Sequence, residues 1–185
     1  MKKMLILFSL MGVLLLVSGR SVFAQETESG IKISVINIDF IIRNGLAFKS
    51  IREQIGKFRE VFQGQIQKEE ETLRTANQEL DSQRTILSAE AFTDKRREFE
   101  KQLVEVQRQV QLRKGNLERV QEDAIGQIQK VLNEIVTAMA NEQGISLILR
   151  QDQVVMAGPK LQITQQVLDR LDAQMPSIKV AEPAK

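Results

Sequence analysis

The sequence predicts an α+β protein: a small β-sheet body, completed by self-association, that carries a long antiparallel helical hairpin. Three observations predict it. Ile31, Ile33 and Val35 alternate with Lys32 and Ser34, the period of a strand with one buried face. From Phe48 onward apolar residues recur at steps of three and four, stop near Ser88–Thr93, and resume for a second stretch of similar length. Beyond Gly144 two short apolar runs are again of strand length.

The first 24 residues read as an export signal. Lys2 and Lys3 form a basic start, Met4 to Val17 an apolar run, and Val22-Phe23-Ala24 a cleavage site, so the mature chain is expected to be exported and to begin at Gln25. The apolar run of 14 residues is shorter than the roughly 20 that span a bilayer. Removing Lys2, Lys3 and Arg20 leaves 23 basic residues against 24 acidic, a net charge of −1 in place of the +2 of the full chain.

Strand one is expected over Ile31 to Ile38, with Asp39 capping the helix that follows. The first seam runs through Phe48, Ile51, Ile55, Phe58 and Phe62. Ile66 comes after a second consecutive four-residue step, a stutter, and Leu73, Leu80 and Leu87 restore the seven-residue repeat. The second seam runs through Phe92, Phe99, Leu103, Val106, Val110, Leu117, Val120, Ala124, Ile128, Val131 and Ile135. Two such helices bury each other's stripe as a hairpin arm over residues 48–139, with its tip near 88–93. Gly56, Gly64, Gly115 and Gly126 lie inside these helices, each costing about 0.8 to 1 kcal/mol relative to Ala. Counted from the tip they fall into two facing pairs, which marks them as candidate hinges of the arm.

Gly144 ends the second helix. Ile145 to Leu149 and Val154 to Ala157 are expected to pair as a β-hairpin around Arg150–Gln153, and Thr164 to cap a last helix bearing Val167, Leu168 and Leu171. Pro176 and Pro183 in polar surroundings suggest a disordered tail over residues 176–185. The body is then built from residues 25–47 and 140–175. So small a core, with no cysteine for disulfides, calls for oligomerisation through open strand edges. Ile31, Ile33, Val35, Ile145, Leu147, Leu149 and Val155 are its expected core.

The absence of His and Cys excludes imidazole bases, thiolate nucleophiles and thiolate zinc sites, and no GxxxxGK[ST] loop occurs, so neither an enzyme nor a metal or nucleotide cofactor is expected. Interleaved charges, with no Tyr or Trp to stack on bases, argue against nucleic acid as a partner.

The opening strand KISVINID with Asn37 near its end, the helix running into MANEQGISLIL, the strand QVVMA and the closing ITQQVLDRL resemble the Skp/OmpH family of periplasmic chaperones. That resemblance implies a homotrimer with three helical tentacles around a cavity that holds unfolded outer-membrane proteins without ATP. It also implies peripheral contact with membrane lipids. The best-known members are strongly basic whereas this chain is near neutral, so no lipopolysaccharide site is carried over. A structural coiled-coil adaptor or spacer of the cell envelope is the alternative.

Overall fold

A computed structural model describes residues 30–184. The export signal expected over residues 1–24 lies outside them. In chain order the elements are β1 (Ile33–Ile36), α1 (Ile38–Asn44), α2 (Leu46–Gln83), α3 (Ala89–Gln143), β2 (Leu147–Arg150) and α4 (Thr164–Gln174), with single 3₁₀ turns at Gln151–Gln153 and Pro159–Leu161.

β1 is shorter than Ile31–Ile38 because Asn37, not Asp39, caps α1. The Asn37 carboxamide oxygen accepts the Phe40 amide at 2.8 Å, and its backbone N–H donates to Thr164 Oγ1 at 2.9 Å. Gly45 then separates α1 from α2. A Cβ there would stand 2.9 Å from the Ile41 carbonyl oxygen and 3.2 Å from Phe48 Cδ2, so the bend requires glycine. The break leaves the Leu46 N–H to Asp172 Oδ1 of α4 at 2.8 Å, and that carboxylate caps the outgoing arm helix.

β1 and β2 pair in parallel, Ile33 with Leu147 through Ile36 with Arg150. The whole arm is the crossover between them, as a parallel pair requires. The expected hairpin of Ile145–Leu149 with Val154–Ala157 does not form. β2 spends its pairing on β1, Arg150 grips Asp152 at 2.7 and 3.1 Å, and the 3₁₀ turn carries the chain away. Val155 and Met156 are left fully exposed. On the other side of β1 a single bridge pairs Val35 with Gln162, and the Ile163 N–H donates to the Val35 carbonyl at 3.0 Å.

The turn of the arm lies at Arg84–Leu87, earlier than residues 88–93, because Ser88 is the N-cap of α3 and accepts the Ala91 amide at 3.2 Å. Gly144 ends α3 in the left-handed conformation, φ 64°, as its position in the sequence suggests. At about 1.5 Å per residue the 38 residues of α2 extend roughly 57 Å and the 55 of α3 roughly 80 Å.

The hydrophobic core joins Ile36 and Ile41 to the root of the arm (Phe48, Ile51, Ile55, Leu117, Val120, Ala124, Ile128, Leu132, Ile135, Met139) and to Val167, Leu168 and Leu171 of α4. Ile178 and Val180 also belong to it, and Pro183 is buried, so residues 176–184 are a packed strap and not a structureless tail. Apolar side chains hold the strap down despite the two prolines.

Candidate functional site

The arm has two regimes. Among the described residues, none between Ile55 and Leu117 is buried; the seam residues Phe58, Phe62, Ile66, Leu73, Leu80, Phe92, Phe99, Val106 and Val110 are half-buried at most. Two helices alone cover only one side of each seam, so the distal arm presents an apolar stripe that stays partly open to water. Val61, Ile86, Val104 and Leu112 add exposed apolar area outside the seam.

At the stutter the stripe opens into a groove of about 520 Å³, floored by Phe62, Ile66, Val110 and Leu117 and rimmed by Arg59, Glu70, Arg113 and Lys114. Two consecutive four-residue steps on α2 move Ile66 out of register with the knob-and-hole repeat, which leaves the space. Arg113 spans the arm here, its guanidinium nitrogens donating to both Glu69 carboxylate oxygens at 2.9 and 3.2 Å. The remaining arm charges pair mainly along their own helices: Arg74 with Glu71, Arg97 with Asp94, and Arg96 with Glu100. Arg108 and Gln109 hold the Glu105 carboxyl at about 2 by donating hydrogen bonds to it. These charges solvate the flanks of the apolar stripe.

The four glycines sit in unbroken helix, and a Cβ built on any of them meets nothing within 4 Å. Close approach of the helices therefore does not explain them. Contacts across the arm place Gly64 and Gly115 at one level, since both fall between the Arg59–Gln121 contact and the Glu69–Arg113 pair. Gly56 and Gly126 lie on the body side of Arg59–Gln121.

Of the residues expected in the oligomerisation core, Val35 and Ile145 are buried within the chain, Leu149 is half-buried, and Ile31, Ile33, Leu147 and Val155 are exposed. Alternation along the strands gives Ile33, Val35, Leu147 and Leu149 of this set a common side. Ser34 and Ile36, with Ile148 beside them, face the protomer's own interior, whereas Ile33 and Val35 pair with Leu147 and Leu149 on the opposite face. The sheet thus keeps one apolar face for itself and leaves the other partly uncovered.

The sequence profile of the OmpH-like outer membrane protein family matches residues 32–171. The chain belongs to the OmpH-like family. Its fold is also that of a crystal structure from Caulobacter crescentus CB15 described as a candidate outer membrane chaperone, OmpH-like, at a TM-score of 0.77 and 18% identity, with 85% of this chain and 93% of that chain covered. Among curated proteins, none matches the sequence significantly. The OmpH-like match runs from β1 to Leu171 in α4, and the Pro176–Ala184 strap lies beyond it.

Sequence reasoning missed several features of this region. The Glu69–Arg113 pair is invisible without the register of the arm. Leu132 and Met139 continue the buried stripe of α3 where the expected seam placed Val131. The strap was masked by its prolines, although the alternation of Ile178 and Val180 with Ser177, Lys179 and Ala181 is a legible extended-chain signal.

Proposed function

We propose that this OmpH-like protein is an ATP-independent holdase of the periplasm: exported, freed of residues 1–24, and assembled as a homotrimer whose arms enclose unfolded outer-membrane β-barrel proteins and prevent their aggregation. One observation carries the reading. The distal arm keeps a long apolar stripe that is only partly covered, with the groove at Phe62, Ile66, Val110 and Leu117 set into it. A spacer gains nothing from such exposure, whereas a holdase needs many weak apolar contacts of low sequence preference. The family assignment supports the same class of activity. Assembly would cover the open sheet face of Ile33 and Leu147 and pair the stranded segment Val154–Ala157, bringing three arms around one cavity. Membrane lipids are met only peripherally, and no catalytic step belongs to this mechanism.

The test is static light scattering on the mature chain, alone and with a urea-unfolded outer-membrane porin diluted into buffer. A mass of three protomers and suppression of porin aggregation at stoichiometric amounts are expected. A chain that assembles but leaves aggregation unchanged is the spacer, and a monomer that ignores the porin overturns the proposal entirely.

A further inference from the structure

The strap after α4 is held by a device that reads backbone. Gln54 of α2 donates from Nε2 to the Ile178 carbonyl at 2.7 Å and accepts the Val180 N–H on Oε1 at 3.0 Å. These two groups flank Lys179 on the same edge of an extended chain, so one carboxamide pairs with them as a neighbouring β-strand would. Ser50 adds a hydroxyl to the Ile178 carbonyl at 3.3 Å and also accepts Gln54 Nε2 at 3.0 Å, which orients the amide. At the far end Asn116 Nδ2 of α3 donates to the Ala184 carbonyl at 3.0 Å. Specificity comes only from pattern: Ile178, Val180 and Pro183 are buried while Ser177, Lys179, Ala181 and Glu182 face water.

We propose that this cleft at the root of the arm is a binding site for an extended polypeptide with apolar residues at alternate positions, and that Ser177–Ala184 is its resident ligand, which a client segment displaces. The occupant's chemistry follows from the lining. Gln54 recognises main chain of any sequence, the core cluster beneath accepts aliphatic side chains two residues apart, and the outer edge stays wet. A transmembrane barrel strand alternates apolar and polar residues with the same period of two, so an unfolded porin carries many such segments. The inference rests on the holdase reading and adds a defined subsite to it. A tethered occupant competes at an effective concentration in the millimolar range, so single client segments exchange with the strap only when many other contacts already hold the client.

The experiment uses a fluorescent peptide of residues 175–184 and the full chain carrying Ile178→Asp and Val180→Asp, which frees the cleft without touching Gln54. The peptide is expected to bind this variant at least tenfold more tightly than the unmodified protein. Adding Gln54→Leu should abolish binding with helicity retained, and stoichiometric unfolded porin should displace the peptide. If the porin is held, by light scattering, while the peptide stays bound, the holdase reading stands and the strap is only a staple. If the porin is not held, the holdase reading itself has failed. Should the double variant not fold, hydrogen exchange on the unmodified protein decides: the Val180 amide must lose protection when porin is bound, and unchanged protection overturns the proposal.

Discussion

Arg113 on α3 grips Glu69 on α2 with two nitrogens across the arm, and the pair is the only cross-arm ion pair among the described residues. Its side chains are 13% and 29% exposed, against more than half for the pairs that run along each helix between Glu71 and Arg108. It sits beside the groove, where apolar packing is interrupted, and there it ties the two helices together.

A double-mutant cycle of Arg113→Ala and Glu69→Ala is therefore expected to yield a coupling of about 1 kcal/mol in urea unfolding, near the top of the range for partly exposed pairs. The same cycle on Arg97 and Asp94 should give no more than a few tenths. Equal couplings would show that the cross-arm pair contributes no more than a solvated one.

Two residues on one face of the sheet separate folding from assembly, because Leu147 is 45% exposed there while Val35 is covered. Leu147→Asp places a charge on the open face and is expected to prevent the proposed trimer from assembling while circular dichroism stays helical. Val35→Asp buries a carboxylate at a position only 2% exposed and should unfold the body, at a cost of several kcal/mol. A fully assembled Leu147→Asp protein in light scattering would remove this face from the interface.

Acid should loosen α4. Glu142 on α3 receives Arg170 of α4 at 2.6 Å, and that hydrogen bond lowers the Glu142 carboxyl below its usual value. A lowered folded-state value means the contribution is complete above the unfolded carboxyl's range, near 4.3, and is lost as pH falls through the folded value. Both groups are largely exposed, so the effect is small. Protection of the α4 amides, taken relative to their intrinsic exchange rates, should fall more between pH 5 and pH 3 in the unmodified protein than in Arg170→Gln, which lacks the pair from the outset.

Client retention is expected to survive about 0.3 M salt. Exposed charge contacts are screened within a Debye length of roughly 6 Å at that ionic strength, whereas contacts with the apolar stripe are not. Release of porin on adding salt, followed by anisotropy, would show that charge dominates the hold.

The elements whose apolar period spans many turns were legible from sequence: the two arm helices, the stutter at Phe62 to Ile66, the stop at Gly144 and the short helix after Ile163. What failed had few residues and nonlocal causes. Val154–Ala157 has the composition of a strand, but β2 had already found β1 across the whole length of the arm, a partner choice that no local pattern reveals. Asp39 and Asn37 are both good caps, and only the bond from Asn37 to Thr164 decides between them. The two prolines of the strap outweighed Ile178 and Val180 because composition takes no account of a cleft waiting on α2.

The last expectation concerns Gly56, Gly64, Gly115 and Gly126. Since open space surrounds each, alanine adds no clash, and the propensity gain of about 0.8 to 1 kcal/mol per site is fully available. The four-Ala variant should be more stable by roughly 3 to 4 kcal/mol if the sites are independent. Stability alone does not identify a hinge. Gly64 and Gly115 share a level beside the groove, where the arm lacks buried contacts, so weakened propensity in both helices at once concentrates bending there. The chain has no cysteine, so a spin label attached through Thr85→Cys at the tip is unique to each protomer. In the proposed trimer, tip-to-tip distance distributions should narrow in the four-Ala variant, and under the holdase proposal the range of client sizes it protects should contract. Distributions equally broad in both proteins would mean that the arm bends elsewhere or moves as a rigid lever about its root.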